Sequence, residues 1–341
     1  MPRFLIALST LIIAACATAE GDHPFMVEPV AEFNEPWAIA FLPDGRLLVT
    51  EKRGRLFMVG QDGTKSEISN VPDVDYGGQG GLGDVVLHPE FASNGLLYLS
   101  YVEAGDGDTR GAVAAVTKLT DSDGQLSLAD AHVFWRQTPK VSGRGHYGHR
   151  LLFSPDGYLF ISSGERQKFD PAQDMQGNLG KIVRLTERGE IPEDNPFVDQ
   201  GGVAAQVWSL GHRNPLGIAF DLEGRLWNSE MGPRGGDELN LVTKGDNYGY
   251  PIVSNGRHYN FVNIPDHDTR PEFEAPAVWW TPVISPGGLI FYSGDLFSEW
   301  RGDALIPGLS SEALIRVEID GDEAREAERY DMGERIRAVQ Q

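Results

Sequence analysis

One strand–turn–strand unit recurs along this chain, and the recurrence limits the fold more than any other feature of the sequence. Ala38-Ile39-Ala40-Phe41-Leu42-Pro43-Asp44-Gly45-Arg46-Leu47-Leu48-Val49 is a pair of apolar runs around a Pro-Asp-Gly turn, and Leu151 to Ile161 repeats it around Pro155-Asp156-Gly157. Both read as hairpins, because Pro presets the backbone for the turn and Gly tolerates the positive φ that closes it. Variants run from Val85 to Phe91 into Gly95 to Leu99 and from Gly217 to Phe220 into Gly224 to Trp227, with a looser fifth near Gly288 to Tyr292. Outer strands follow, as in Lys181 to Leu185 and Leu314 to Ile319. A four-stranded unit of about 40–50 residues buries its faces only against neighbours like itself, so this repetition points to a ring of blades, the β-propeller.

A sixth unit is expected to open at Arg335 to Val339, but the sequence stops at Gln341 before the Pro-Asp-Gly turn. The expectation is therefore an all-β, six-bladed propeller over residues 23–341, its last blade incomplete in the chain as given. A ring must close its last blade on its first or leave an open edge. Either the chain is cut short, or the segment Phe25 to Phe33 covers the seam. The 41 Gly and 21 Pro among 341 residues suit many short strands joined by tight turns, and nothing after residue 20 has the period of a long amphipathic helix.

Arg3 followed by the apolar run Phe4 to Ala15 and then small residues has the form of an export signal over residues 1–19, too short to span a bilayer. Two cleavage readings compete. Ile13-Ala14-Ala15-Cys16 fits a lipobox that would leave Cys16 as a lipid anchor, whereas Ala17-Thr18-Ala19 fits an ordinary cleavage site. Either way the chain is expected outside the cytoplasm, in a bacterial periplasm or anchored at the outer membrane. Cys16 is the only cysteine, so no disulfide and no thiol nucleophile is available to the rest of the chain. A formal charge of −21 excludes the Lys and Arg stripes that phosphate backbones and anionic membrane surfaces need.

Gly78-Gln79-Gly80-Gly81-Leu82-Gly83 matches a dinucleotide fingerprint in letters only, since a strand rather than a helix is expected to follow it. Four polar, Gly-rich segments sit beside inner strands of different units: Gly77 to Gly81, Gly145 to Arg150, Gly211 to Pro215, and Glu230 to Glu238. In a propeller such turns line the rim of the central channel. They can therefore converge on one axis although far apart in sequence.

The phrases GQGGLGDVVLHPEF, HYGHRLLFSPDGYLFISSGE, GHRNPLGIAFD and SEMGPRGGDELNLV with GDNYGYP, in that order, resemble the soluble aldose sugar dehydrogenases that use pyrroloquinoline quinone, PQQ. The resemblance implies oxidation of sugars at C1, a sugar substrate, an external electron acceptor, and PQQ and calcium as cofactors. By position it implies His146 as general base, a role an imidazole fills near neutral pH. It implies Arg213 and Asn214 beside the quinone, where a planar guanidinium suits both the cofactor's carboxylates and developing negative charge. Gln79, Tyr259, Arg335 and Arg337 are implied as further cofactor contacts. The main-chain carbonyls of Gly232 and Pro233 are implied as calcium ligands, and Glu238 with the Tyr248 carbonyl as a second, structural calcium position. One departure stands out: Ser310 follows Pro307-Gly308-Leu309 where the family often has Lys. A calcium-dependent lactonase, which gives no reason for Arg213, Arg335 and Arg337 to converge, and a non-catalytic binding propeller, against which an intact His146 argues, are the competing readings.

Overall fold

The computed structural model describes residues 23–341, and in it each hairpin read from the sequence is the inner half of an antiparallel sheet. The signal segment and Cys16 lie outside the described residues. The first sheet orders Pro36–Phe41, Leu47–Glu51, Arg55–Val59 and Lys65–Ile68 from the axis outward. The second uses Leu82–Leu87, Leu96–Ala104, Arg110–Ser122 and His132–Arg136, with Gln125–Leu128 folded back on the far end of its third strand. The third comprises Gly148–Phe153, Leu159–Ser163, Lys181–Leu185 and Val207–Leu210. The fourth comprises Pro215–Phe220, Leu226–Glu230, Asp237–Leu241 and Val278–Trp280. The fifth comprises Ile290–Phe291, Ala304–Pro307, Ala313–Asp320 and Glu323–Asp331.

Apolar layers between neighbouring sheets hold the ring. Trp37, Leu48 and Leu56 meet Leu82, Leu97 and Leu99 between the first and second sheets. Tyr98 and Trp135 meet Leu159, Ile161 and Val183 between the second and third. Phe160 and Ile182 meet Ile218 and Leu226 between the third and fourth, and Trp227, Leu239 and Trp280 meet Phe291, Ile306 and Ile315 between the fourth and fifth. Alternating strands that bury both faces in this way need no long helix, and the one α-helical segment among the described residues is the single turn Phe91–Asn94.

The expected count of six blades is corrected to five among the described residues. Arg335 to Val339 has the alternation of a strand but no second strand to supply its ladder, and a strand exists only through its partner. The segment is held instead by Ile336 N donating to the Gly308 carbonyl at 3.2 Å, and its Arg337 carbonyl lies against Gly287. Ala338 to Gln341 then line the channel with Ile39, Ile218 and Phe291. The seam is bridged from the other end of the chain. Phe25 sets its edge on Trp300 and Tyr330 of the fifth blade, Phe33 packs on Phe57 of the first, and Lys65 Nζ donates to the Glu32 carbonyl at 2.6 Å.

One buried side chain ties all five inner strands to the axis. Arg150 donates to Asp84 Oδ1 at 3.1 Å, to the Leu216 carbonyl at 2.7 Å and to the Gly287 carbonyl at 2.5 Å, while its guanidinium stacks 4.0 Å from the Trp37 ring centroid. Asp84 spends its remaining capacity on the backbone N–H groups of Val85 and Leu151. Replacing Arg150 by Met strands that carboxylate in the interior, and the expected loss in urea unfolding is about 3–5 kcal/mol. The double change Asp84→Asn, Arg150→Met should lose less than the two single losses added together; full additivity would show that the pair is not coupled.

Candidate functional site

Four inner strands begin with the same irregularity. Register shifts fall between Pro36 and Ile39, Leu82 and Val85, Gly148 and Leu151, and Pro215 and Gly217. A bulge at a strand entry re-aims the residues just ahead of it. Those residues are Gln79 before Leu82, His146 before Gly148, and Arg213 and Asn214 before Pro215, three of the four Gly-rich segments singled out above.

His146 stands at φ 49°, left-handed, so its turn departs sharply from the strand. The turn fits only because Gly164 lies beneath it: a Cβ there would come within 2.2 Å of the His146 carbonyl oxygen. His146 Nδ1 is hydrogen-bonded to Glu165 Oε1, and Glu165 Oε2 accepts from the backbone N–H of Lys168 at 2.5 Å and Phe169 at 2.7 Å. Glu165 is fully buried. Burial raises its carboxyl, but the bonds from His146 and the backbone outweigh that and hold it below the usual range. The carboxylate is thus an acceptor, Nδ1 carries the proton, and Nε2 is left with a lone pair. Burial depresses the His146 imidazole against the opposing pull of Glu165, and the charges of Arg213 and Arg166 depress it further.

Sequence reading missed Glu165, although the signal was present. Gly148 is registered opposite Ser163, so residues just before the first strand and just after the second face each other across the blade. The same rule pairs Arg213 with Glu230, since Pro215 is registered opposite Glu230. Arg213 N donates to Glu230 Oε2 at 2.7 Å, and its Nη1 donates to the carbonyls of Met231 at 2.8 Å and Gly232 at 2.5 Å.

His146, Glu165, Gln167, Phe169, Arg213, Pro233, Tyr250, His258 and Tyr259 line a cavity of about 550 Å³. Gln79 is brought to it indirectly, its Oε1 accepting from His146 N at 2.7 Å. Asn214 Oδ1 accepts from Gly148 N at 3.2 Å, while its Nδ2 and the Nε of Arg213 are buried without a protein partner. Two orphaned donors on consecutive residues, one of them lining the cavity, fit the oxygens of an acidic cofactor, since an unpaired buried donor is costly. The Gly232-Pro233 turn is held by Gly232 N donating to Asp237 Oδ1 at 2.9 Å, which fixes the direction of its carbonyls.

Glu238 is a buried strand carboxylate rather than part of an exposed acidic turn. Burial and the neighbouring Glu230 charge push it well up, while the bond from His212 helps hold Glu230 ionised against its own burial. Beside them Asn228 Oδ1 and Asn240 Oδ1 are buried without partners, and the Tyr248 carbonyl lies 3.3 Å from His267 Nε2. Oxygen-rich, over-negative and under-bonded, this pocket suits a hard cation.

Arg335 and Arg337 do not line the cavity. Arg337 sits in the channel, where burial and the charges of Arg150 and Arg335 lower it to about 10. Ser310 Oγ donates to the Val283 carbonyl at 3.2 Å. The other histidines near these turns are structural. His149 stacks on Trp37, contacts Ser100 Oγ at 2.8 Å and is pushed down to about 3 by burial, and His212 lies between Ser209 and Glu230.

A family model described as Glucose / Sorbosone dehydrogenase matches residues 33–341. The chain is 40% identical to aldose sugar dehydrogenase YliI of Escherichia coli over 98% of this chain and 90% of that protein. Among solved structures it is similar to the soluble aldose sugar dehydrogenase of Escherichia coli in its apo-form, with a TM-score of 0.83 and 41% identity over 89% of each chain. It is also similar to the PQQ-bound aldose sugar dehydrogenase of Streptomyces coelicolor, with a TM-score of 0.72 and 30% identity over 88% of this chain and 83% of that one.

The Glu165 carboxylate is the one group beside His146 that raises its proton affinity. In Glu165→Gln the imidazole should therefore titrate lower than in the parent protein, followed by the His146 ring resonances in an NMR pH titration. An unchanged midpoint would mean that the contact carries no charge.

Proposed function

The chain belongs to the glucose/sorbosone dehydrogenase family, and on that premise we propose that it oxidises aldoses at C1 to lactones with PQQ and calcium, His146 acting as general base. The observation that carries the reading is the His146–Glu165 pair: a buried carboxylate fixes Nδ1–H, so the ring meets the cavity with a basic nitrogen beside Arg213. PQQ, when bound, accepts the hydride from C1, with calcium drawing charge from the quinone. Everything else falls to the residues of the chain.

His146 Nε2 takes the C1 hydroxyl proton while the C1–H bond breaks toward the cofactor, so the carbon loses a hydride and the oxygen a proton, and the lactone results. Glu165 stabilises the imidazolium formed in that step and keeps the ring from turning. Arg213 Nε and Asn214 Nδ2 would hold cofactor oxygens, supplying the partners those donors lack. Phe169, Tyr250 and Tyr259 wall the cavity, offering apolar ring faces to a sugar or to the cofactor. Gln79 keeps the His146 backbone in place.

The carbonyls of Gly232 and Pro233 are the proposed protein ligands of the calcium beside the cofactor. Glu238 and the Tyr248 carbonyl are proposed for the second calcium, supported by the crowded carboxylates and bare amide oxygens around Glu238. Arg335 and Arg337 are proposed to meet cofactor carboxylates from the channel side. Export by the segment 1–19, with Cys16 as the site of a lipid anchor, would place the enzyme outside the cytoplasm, passing electrons to an external acceptor.

Purified protein supplied with PQQ and calcium should reduce a dye on addition of an aldose, and His146→Gln should lower that rate by about 10²–10⁴-fold while PQQ still binds. Undiminished turnover in His146→Gln would overturn the assignment. The neutral imidazole is the working form, so the rate falls as pH drops through the His146 pKa. Because burial lowers that pKa, the acid limb should lie below about 6.5. A limb at or above pH 7 would contradict the burial argument.

A further inference from the structure

We propose that Arg166 is a positioning residue for the base: its buried guanidinium fastens the turn from Gly143 to His146 and so sets where His146 stands in the cavity. The inference rests on the reading of His146 as base.

Arg166 has no exposed surface, and among the described residues it forms no ion pair. A buried cation with no carboxylate in contact, offset only at longer range by Glu165 and Asp75, is costly, so its retention calls for something it holds. Its donors all go to main-chain carbonyls. Nε reaches Gly145 at 2.9 Å, Nη2 reaches Gly143 at 2.6 Å, and Nη1 reaches Arg110 at 2.7 Å. Two of these acceptors form the turn ahead of His146, and the third begins the third strand of the second blade. The guanidinium also lies 3.8 Å from the centroid of the Tyr147 ring, the residue just after the base. Arg166 N closes the arrangement by donating to the His146 carbonyl at 3.1 Å.

Arg166 holds the two glycine positions of the turn, while Gln79 and Asp75 hold Arg144 and His146. Gly143 and Gly145 bring no side chains, and the other hydrogen bond to their carbonyls is the Tyr147 hydroxyl donating to Gly143 at 3.3 Å. His146, Arg166 and Gln167 all stand at left-handed φ, of 49°, 63° and 60°. Such conformations persist only where the surroundings over-determine them. A fork with five donors meets that need in a way one ammonium cannot, because its directions are rigid relative to one another. The Arg110 end is itself anchored: Arg110 Nε donates to Asp75 Oδ2 at 2.8 Å, and Asp75 Oδ1 accepts from Arg144 Nη1 at 2.6 Å. The Arg144 carbonyl in turn accepts from Gln79 N at 2.8 Å, and Gln79 Oε1 from His146 N. One network therefore fixes the base from both sides.

The test compares Arg166→Gln, Arg166→Lys and His146→Gln with the parent protein, each loaded with PQQ and calcium. PQQ affinity is read by titration, and kcat and KM are read with glucose. For Arg166→Gln the expected result is a kcat lower by about 10–100-fold, because small misplacements of a reacting group cost about that much. PQQ affinity and KM should stay within about twofold, as expected when only the transition state is affected. Arg166→Lys should fall between Arg166→Gln and the parent, since an ammonium keeps the charge but cannot span three carbonyls. Should Arg166→Gln fail to fold, a lower kcat at unchanged KM in Arg166→Lys supports the inference. Parent-like kcat in a folded Arg166 variant, or a loss confined to KM, PQQ affinity or melting temperature, overturns it. Parent-like kcat in His146→Gln would instead overturn the reading of the base on which it rests.

Discussion

Separate sheets arranged about one axis pack well by their faces, yet nothing in face packing alone decides how far each blade slides along that axis. Hydrogen bonds across each junction supply that constraint, from Thr50 to the Gly83 carbonyl, Ser100 to that of His149, Ser162 to that of Pro215 and Ser229 to that of Gly288, and at the axis they are joined by Arg150 and Asp84. Their ion pair lies where the five inner strands converge, and its hydrogen bonds run to carbonyls and N–H groups of several strands rather than to one partner. A sliding blade would leave a buried donor or acceptor unpaired, which costs more than the slide could recover. His146 belongs to the turn that leads into the strand bearing Arg150. The position of His146 relative to Arg213 on the next blade is fixed more directly, by Glu165 N donating to the Arg213 carbonyl at 2.9 Å and Gly148 N donating to Asn214 Oδ1 at 3.2 Å.

Above that anchor, local geometry repeats from blade to blade and chemistry is grafted on it. The bulge at the start of each of four inner strands turns the preceding residues toward the channel, and the residue just past the second strand comes opposite them. The third blade uses that opposition for His146 and Glu165; in the fourth, Glu230 at the end of the second strand accepts from the Arg213 backbone N–H, and the guanidinium is aimed by the Met231 and Gly232 carbonyls. An imidazole held at its ring and an arginine held at its backbone are two uses of a carboxylate at the same end of a blade. The buried His149 and His212 show that an imidazole near the axis is not enough. Each is engaged at its ring by Ser100, or by Ser209 and Glu230, and neither is among the residues that line the cavity.

Four hairpins were legible because a Pro-Asp-Gly or Gly-x-Leu turn between apolar runs is decided locally, before tertiary contacts matter, whereas only the first strand of the fifth was, since Ile290–Phe291 reaches Ala304–Pro307 across the long connection from Tyr292 to Asp303. The sixth was not, because Arg335 to Val339 has the pattern of a strand, and pattern cannot show whether a partner strand exists. Among the site residues, His146, Arg213, Asn214 and Gln79 were readable from Gly-rich phrases and do come together, as does Tyr259 at the cavity wall. Glu165 lay inside one of those phrases and was passed over, since its role depends on the register between Gly148 and Ser163. Glu238 was readable as a calcium ligand only through the family resemblance, and its burial was not legible. Only the pairing of Asp237–Leu241 with strands on both sides reveals that it is buried. The long loop from Gly164 to Gly180, which carries Arg166 and Phe169, has no local periodicity to read.

Removal of hydride and proton from C1 of an aldose is the chemistry proposed for the cavity beside His146. It is tested most directly by anaerobic stopped-flow spectroscopy on protein loaded with PQQ and calcium, following cofactor absorbance after mixing with glucose, with glucose deuterated at C1, and with its methyl glycoside. Glucose should reduce the cofactor in a single phase, the C1-deuterated sugar should do so more slowly with a primary isotope effect, and the glycoside, lacking the C1 hydroxyl proton, should not react. Binding of PQQ without reduction by any aldose, or reduction by the glycoside at the rate of glucose, would contradict that chemistry.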